Sequence, residues 1–241
     1  MKYRLEVLTP TLVGDGDALA PIDYLVWKDQ VNVLDQERIF KLLSKGPRLD
    51  GYLNQIKKAD KLDFANWGGF AQNYADRRIP FEDASCTPHW ERQRAEHCHI
   101  PTFARTIHGP YVPGSAIRGA LRTAFVASRI DERTLGVVEQ ALGGERPPRR
   151  PAEAAEHRAL SRDGRPGTGD QFKSLAMSDS GTIGAPQLAV YMLRTATLLE
   201  DRAQNRFSLG WKTAGRGSVD ARRIDESTPV FAEMARPGTV M

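Results

Sequence analysis

Residues 109–125 constrain the fold more than any other stretch of this sequence, because they join an extended approach to an abrupt helix start. Pro110 and Pro113 favour extended or turn geometry in the residues that precede them. Gly114 then permits a sharp change of direction. Apolar residues recur at helical spacing beyond it, and they are Ile117, Ala120, Leu121, Ala124 and Phe125. The pattern predicts a helix with Ser115 as its N-cap and one core-facing stripe.

The predicted helix, residues 115–129, also carries a row of arginines. Arg118 and Arg122 are four residues apart, and Arg129 extends the row seven residues further. The free N–H groups of a first helical turn and the helix dipole favour an anion, and nearby arginines add positive charge. The start of this helix is therefore a candidate phosphate site. An ordinary amphipathic helix with solvated arginines is the alternative.

A nucleotide-binding P-loop is excluded by the residues of the same helix. Gly114 and Gly119 have the glycine spacing of that motif, but Ala120 and Leu121 stand where a lysine and a hydroxyl residue are required. The chain therefore lacks the groups that would contact the terminal phosphates and a magnesium ion.

The composition is that of a globular protein with a mild excess of positive charge. Of the 241 residues, 40% are hydrophobic, and 34 lysines and arginines against 30 aspartates and glutamates give a net charge of +4. This charge is compatible with an RNA partner without requiring one. No apolar run approaches the roughly 20 residues of a membrane span. With two cysteines and no signal-peptide pattern at the amino terminus, we expect a cytoplasmic protein without a membrane partner.

Strand and helix patterns alternate along the chain and predict an α+β fold with an antiparallel sheet. Strands are predicted at 2–9, 100–107, 172–180, 187–199 and 228–234, with a hairpin at 24–33. Besides the helix at 115–129, helices are predicted at 36–44, 49–59 and 132–142, the first of them with Asp35 as its N-cap.

We expect a single domain over residues 1–241 that contains two irregular regions. Residues 46–98 have poor periodicity and are interpreted as an insertion. Residues 145–171 combine four prolines with several glycines and many charges, which predicts a flexible loop.

The insertion contains a group of cysteines and histidines. Two residues separate Cys86 from His89, and His97, Cys98 and His99 follow consecutively. Cysteine and histidine at such spacings can supply four tetrahedral ligands to a structural zinc ion, with either His97 or His99 as the fourth. A chance grouping is the alternative, since paired Cys-x-x-Cys halves are absent. No cofactor is required beyond this candidate zinc ion.

Aromatic and basic residues are interspersed in the same region, a pattern typical of surfaces that stack on bases and contact phosphates. They are Trp67, Phe70, Tyr74 and Trp90, with Arg77, Arg78, Arg92 and Arg94. Packing of the rings in a small core is the alternative.

Three segments, in order along the chain, resemble CRISPR-associated RAMP proteins. Residues 8–16 resemble the end of the first strand of that family, residues 110–122 its glycine-rich segment before a helix, and residues 175–180 a later strand. Within the family, the chain is most similar to the fifth Csm subunits of type III-A effector complexes. The resemblance implies a ferredoxin-like (RRM-like) RAMP core with inserted loops and helices.

The resemblance also implies a function and partners. A fifth Csm subunit is expected to bind guide CRISPR RNA without cutting it, to cap the subunit backbone near the 3′ end of the guide, and to assist guide maturation. Neighbouring backbone RAMP subunits and host nucleases that trim the guide are the implied partners. The residues expected to contact RNA phosphates are Gly114, Ser115, Arg118, Arg122 and Arg129.

Two other functions remain open. Backbone-forming RAMP relatives carry an RNA-cleaving aspartate after their first strand, and Asp23 lies in that region of this chain. A carboxylate there could act as a general base on a 2′-hydroxyl or help to hold a metal, which would make the chain an endoribonuclease. A solvated loop aspartate is the simpler interpretation. The third hypothesis is a zinc-stabilised protein-interaction module without a role in RNA binding.

Overall fold

The structure is a computed structural model, and the chain within it divides into two compact units. The residues it describes are 2–58, 61–62, 73–144, 149–161, 169–201, 206–214 and 220–241. The first unit contains residues 1–110 and 183–241, and the second unit contains residues 111–182.

Strands and helices both contribute to the described part of the chain. The strands are β1 Ala18–Leu19, β2 Tyr24–Val26, β3 Gln30–Leu34, β4 Ala75–Pro80, β5 Ile100–Pro101, β6 Arg105–Thr106, β7 Gly109–Pro110, β8 Leu188–Leu193, β9 Ala196–Asp201, β10 Arg206–Trp211 and β11 Val230–Ala235. The α-helices are α1 Gln36–Leu43, α2 Leu49–Lys58, α3 Cys86–Arg92, α4 Gly114–Ala127, α5 Glu132–Leu142 and α6 Glu153–Leu160. Single 3₁₀ turns lie at Ala95–His97, Gln171–Ser174, Ala185–Gln187 and Ile224–Glu226.

Each pairing between these strands is antiparallel. The sheets are β2–β3–β4 and the pairs β1–β5, β6–β7, β8–β11 and β9–β10. The predicted α+β class with antiparallel pairing is therefore confirmed, whereas the ferredoxin-like order of the core stays a prediction.

The hairpin of β2 and β3 forms where the alternating pattern predicted it. Lys28 and Asp29 both adopt left-handed backbone angles, with φ of 52° and 54°, which is the geometry of a two-residue turn that matches strand twist. Helix α1 follows directly, and the carboxylate of Asp35 accepts the amide hydrogen of Arg38 at 2.9 Å. The predicted N-cap is thus confirmed.

The core of the first unit draws on distant parts of the sequence. Its main cluster of buried residues is Tyr24, Val31, Ile79, Phe81, Cys86, Trp90, Cys98, Ile100, Val190 and Phe231. Five of these come from residues 46–98, the region interpreted as an insertion, so this region supplies β4, α3 and a large part of the core rather than a peripheral loop.

Strands β8 and β11 are buried on both faces. Val190 and Phe231 face the main cluster, while Ala189, Tyr191, Ala232 and Met234 form a second one on the other side. Burial of both faces explains why the residues of this pair are almost continuously apolar.

The predicted strand at 2–9 is reduced to isolated pairing with the end of the chain. The amide of Val7 donates to Thr239 O at 2.9 Å, and the amide of Met241 donates to Leu5 O at 3.0 Å. Thr11 exchanges both backbone hydrogen bonds with Ala235, which attaches the segment to β11.

Three further strand predictions fail or change in length. The segment 172–180 contains a 3₁₀ turn at Gln171–Ser174 followed by irregular chain instead of a strand. The single strand predicted at 187–199 is divided into β8 and β9, and that at 100–107 into β5 and β6. An apolar run predicts burial or extension, but it does not show where the chain must turn to find a partner strand.

The predicted flexible loop at 145–171 contains a helix. Ala155, Ala159 and Leu160 of α6 are buried, and alanine has the highest helix propensity of all residues. The prolines lie outside this helix, so the composition of the whole stretch concealed a short element within it. Residues 145–148 and 162–168 of the predicted loop lie outside the described residues.

The helices of the described segments include none that combines the length and the apolar character needed to cross a membrane.

Candidate nucleic-acid interface

Helix α4 begins one residue earlier than predicted and is capped from a distant segment. Pro113 occupies the N-cap position, and the amide of Gly114 donates to Oδ1 of Asp179 at 2.8 Å. The prediction of Ser115 as N-cap is therefore wrong. A carboxylate 65 residues further along the chain supplies the acceptor that a local cap would have supplied.

The segment around Asp179 lies against the start of α4. A Cβ atom added to Gly114 would stand 2.2 Å from the carbonyl oxygen of Met177, so only glycine allows this approach. Ser180 accepts the amide hydrogen of Val112 with its hydroxyl at 2.9 Å and donates its own amide to Val112 O at 3.0 Å. Two of the three segments that resemble RAMP proteins are thus joined by direct hydrogen bonds.

The apolar stripe of α4 is only partly covered. Ile117 and Phe125 are half-buried, and the ring of Phe125 meets that of Phe172 edge-on at 5.1 Å between centroids. Ala120 and Ala124 are exposed, and Leu121 is 45% exposed. The expectation that the whole stripe faces the core is therefore wrong for Ala120, Leu121 and Ala124.

Helix α6 engages two of the three predicted arginines. Nη2 of Arg122 lies 3.1 Å from Oε2 of Glu156. The guanidinium of Arg129 lies 4.1 Å from the centre of the Phe125 ring and donates to Ala159 O at 3.1 Å. Packing of α4 against the helix that the sequence did not reveal thus accounts for both side chains.

Arg118 differs from the other two arginines. It is half-buried on α4, and within the described parts of the chain no acceptor or carboxylate pairs with its side chain. Ser115, in the first turn, is exposed. Of the five residues predicted to contact RNA, Arg118 and Ser115 therefore offer groups for a ligand, whereas a phosphate at Gly114 would have to displace the Asp179 carboxylate. Contact of all five residues with RNA stays a prediction.

The carboxylate of Asp23, the candidate catalytic residue, accepts two local hydrogen bonds. Its Oδ2 accepts the amide hydrogen of Ala20 at 2.7 Å, and its Oδ1 accepts from Nε2 of Gln36 at 2.7 Å. Both carboxylate oxygens thus fasten the turn before β2 to the start of α1. This geometry favours a structural role for Asp23, and RNA cleavage by this residue stays an untested alternative to the predicted non-catalytic function.

The five candidate zinc ligands are dispersed. Cys86 and Cys98 are buried in the main core, and burial raises the pKa of the Cys86 thiol. His89 and His97 are half-buried, His97 lies beside Glu96, and His99 is exposed. All five belong to the described residues, within which no three histidine, cysteine, aspartate or glutamate side chains are placed to hold a metal ion.

Of the four interspersed aromatic residues, the two in the described part of the chain pack against core clusters. Trp90 is buried, and its Nε1 donates to the hydroxyl of Tyr24 at 2.9 Å. Tyr74 packs against a core cluster to which β2, β3, α1 and α2 contribute, and the guanidinium of Arg38 lies 5.5 Å from its ring centre. Trp67 and Phe70 lie outside the described residues.

Sequence reasoning missed Glu233, a fully buried carboxylate on β11. It forms ion pairs with Arg77 of β4 and Arg105 of β6. The signal available in the sequence was a single glutamate within the otherwise apolar strand Val230–Ala235. A charge at such a position predicts a buried partner, because an unpaired carboxylate in a core is very unfavourable.

The sequence model of the RAMP superfamily matches residues 4–240. This protein belongs to the RAMP superfamily.

Within that superfamily the similarity is to Csm5 proteins. Csm5 of Mycobacterium tuberculosis is 24% identical over an alignment of 261 residues, and this alignment covers 99% of this chain and 64% of the relative. Csm5 of Methanocaldococcus jannaschii is 23% identical over 141 residues, which cover 55% of this chain and 32% of the relative. The chain thus spans about two thirds of the length of the M. tuberculosis protein.

Solved structures agree on the fold. The crystal structure of Csm5 from T. onnurineus matches with a TM-score of 0.62 and 20% identity, over 99% of this chain and 66% of that one. A chain in the cryo-EM structure of a Csm–crRNA–target RNA ternary complex of a type III-A CRISPR–Cas system matches with a TM-score of 0.58 and 22% identity. The match covers 98% of this chain and 61% of the chain in that complex. The predicted RAMP fold is therefore confirmed.

Proposed function

We propose that this protein is the fifth subunit of a type III-A Csm effector complex and that it binds guide CRISPR RNA. In this role it caps the row of backbone RAMP subunits near the 3′ end of the guide and assists guide maturation. Its partners are the guide, the adjoining backbone subunit and the host nucleases that trim the guide, and it works in the cytoplasm.

The observation that carries the proposal is the similarity to M. tuberculosis Csm5, which extends over 99% of this chain. A match of that extent includes both units and all three RAMP-like segments, so it does not rest on one short motif. The structural relative in a complex with crRNA and target RNA supports an RNA partner for the same fold.

The second unit supports the RNA contact chemically. Arg118 lies on α4, one turn after the exposed Ser115. Its side chain has no partner in the described residues. A guanidinium in this position suits a phosphate oxygen and carries no base specificity, as a subunit that accepts many guide sequences requires. Backbone contacts of this kind are sensitive to salt.

Co-purification tests the proposal. The tagged protein is co-expressed with the other Csm subunits and a CRISPR array of its host, and the RNA and proteins that it retains are identified. We expect guide RNA and a backbone RAMP subunit in a fixed ratio to the tagged chain. Without the protein, guides with longer 3′ ends are expected, since the cap that directs trimming is missing.

The matched control is a tagged version of another subunit, purified with and without this protein. The proposal is contradicted if this protein is missing from the first preparation and the guides have the same length in both.

A further inference from the structure

Glu233 lies at the centre of an ion cluster inside the first unit. Its register position opposite Val190 places it on the face of β11 that also carries the buried Phe231, and its side chain is 0% exposed. Oε1 lies 2.9 Å from Nη2 of Arg105 and also bonds Nη1 of Arg77. Oε2 accepts the amide hydrogen of Phe103 at 3.2 Å. One carboxylate thus holds two guanidinium groups from two different strands.

The cluster has more positive charge and more donors than a structural ion pair needs. Two arginines share one carboxylate, which leaves one positive charge in excess. Nε of Arg105 is buried, and in the described residues it has no acceptor. A net charge and an unsatisfied donor both disfavour a largely buried site, so the arrangement is better suited to receiving a second anion than to stability alone.

The excess charge reaches the surface. The side chains of Arg77 and Arg105 are 21% and 30% exposed, while the glutamate beneath them is fully covered. Asp15 is the nearby carboxylate on the surface side. The Asp17 amide is the main cause that lowers its pKa, and the backbone and charge of Arg105 lower it further. Because Asp15 is exposed, solvent weakens its attraction for Arg105, and its charge offsets the excess positive charge of the cluster only in part.

We propose that Arg77 and Arg105 form a binding site for a phosphodiester group, with Glu233 as the residue that positions both guanidinium groups. A planar guanidinium offers paired donors that fit two phosphate oxygens, and a fixed carboxylate behind it holds the outward edge in place. The phosphate is that of an RNA backbone, an assignment that rests on the proposed function. The site lies in the first unit and is additional to the arginines of α4.

Three single substitutions test the site. Arg105→Gln and Arg77→Gln each remove one positive charge but leave Glu233 paired with the other arginine, so the fold should persist. Asp15→Asn removes the negative charge on the surface side and keeps an oxygen that can accept from Asp17. Arg223→Gln is the matched control, because Arg223 is exposed and pairs with Asp225 at 2.7 Å elsewhere in the first unit.

Single-stranded RNA binding is measured across a salt series with each variant. We expect Arg105→Gln and Arg77→Gln to bind about tenfold more weakly, with the slope of log K against log salt reduced by about one. Asp15→Asn should bind more tightly than the unchanged protein, and Arg223→Gln should bind equally well. Equal RNA affinity and equal salt slope in all four variants overturn the RNA site.

A titration with inorganic phosphate separates this proposal from the proposed function. The Nε–H resonance of Arg105 is followed by NMR, and a saturable shift that is lost in Arg77→Gln supports the anion site even if the protein binds no RNA. In that case the proposed function fails and the phosphate site stands. If phosphate leaves the resonance unmoved and the variants change only the melting temperature, the cluster is a structural ion bridge and the proposal is wrong.

Discussion

The amide of Gly114 and the carboxylate of Asp179 lie 2.8 Å apart and form the hydrogen bond that caps helix α4. The helix start that suggested an anion site is thus occupied by an anion of the same chain. The bond also ties the segment before α4 to residues 175–180, the two parts of the second unit that resemble RAMP proteins.

Asp179→Ala is expected to destabilise the second unit by about 1 kcal/mol, because the first amide of α4 loses its acceptor. Asp179→Asn, which keeps an oxygen acceptor, should cost less. Urea denaturation of both variants, with amide hydrogen exchange at the start of α4, measures the difference. Equal stability of Asp179→Ala and the unchanged protein contradicts the capping role.

Two glycines of α4 should respond in opposite directions to the same substitution. Gly114→Ala brings a Cβ within 2.2 Å of Met177 O, so either the backbone at residues 177–178 shifts or the helix start is lost. We expect a loss of about 3 kcal/mol. Gly119→Ala places its Cβ in open space on an exposed helical position and should stabilise by about 0.5 kcal/mol. Chemical denaturation of the two variants measures the sign, and a destabilising Gly119→Ala would mean that α4 is not helical there.

Arg118 and Arg122 should differ in their effect on RNA binding. Arg118 lacks a partner among the described residues, so Arg118→Ala is expected to weaken single-stranded RNA binding and to lower the salt slope by about one. Arg122 is paired with Glu156 on a partly exposed surface, where such a pair contributes about 0–1 kcal/mol to stability. Because Glu156 already occupies the Arg122 guanidinium, Arg122→Ala should weaken RNA binding less than Arg118→Ala does. Equal losses in the two variants, measured by filter binding across a salt series, contradict the assignment.

The cysteines should behave as core residues without metal. Cys86 and Cys98 are buried, and the raised pKa of Cys86 disfavours the thiolate that both alkylation and zinc binding require. We expect slow reaction with iodoacetamide in the native protein at pH 8 and rapid reaction after unfolding in urea. Elemental analysis of the same sample should find no stoichiometric zinc. One zinc ion per chain, with both thiols protected, supports the zinc hypothesis instead.

Local signals in the sequence predicted some elements closely. Helix α5 was predicted at 132–142 and occupies Glu132–Leu142, because Asp131 caps it and its carboxylate accepts the amide hydrogen of Thr134 at 2.8 Å. Helix α1 begins after the predicted cap Asp35 for the same reason. In both cases the groups that start the helix lie within four residues of one another.

Other features depend on partners far along the chain and left no local signal. The cap of α4 comes from Asp179, so a favourable residue at the expected place, Ser115, gave the wrong answer. Arg122 and Arg129 of α4 are held by α6, a helix that the proline-rich and charged composition of residues 145–171 did not indicate. Glu233 departs from the apolar pattern of its strand, but the sequence did not show which arginines would form ion pairs with it.

Cross-linking of guide RNA within the assembled complex tests the central proposal most directly. A guide labelled with photoreactive nucleotides at known positions is incorporated into the Csm complex, irradiated, and the nucleotides joined to this chain are mapped. We predict cross-links at the 3′ end of the guide, with peptides from the region of Arg118 among the products. Cross-links confined to the 5′ end, or a complete guide complex in which this chain is joined to no nucleotide, would contradict it.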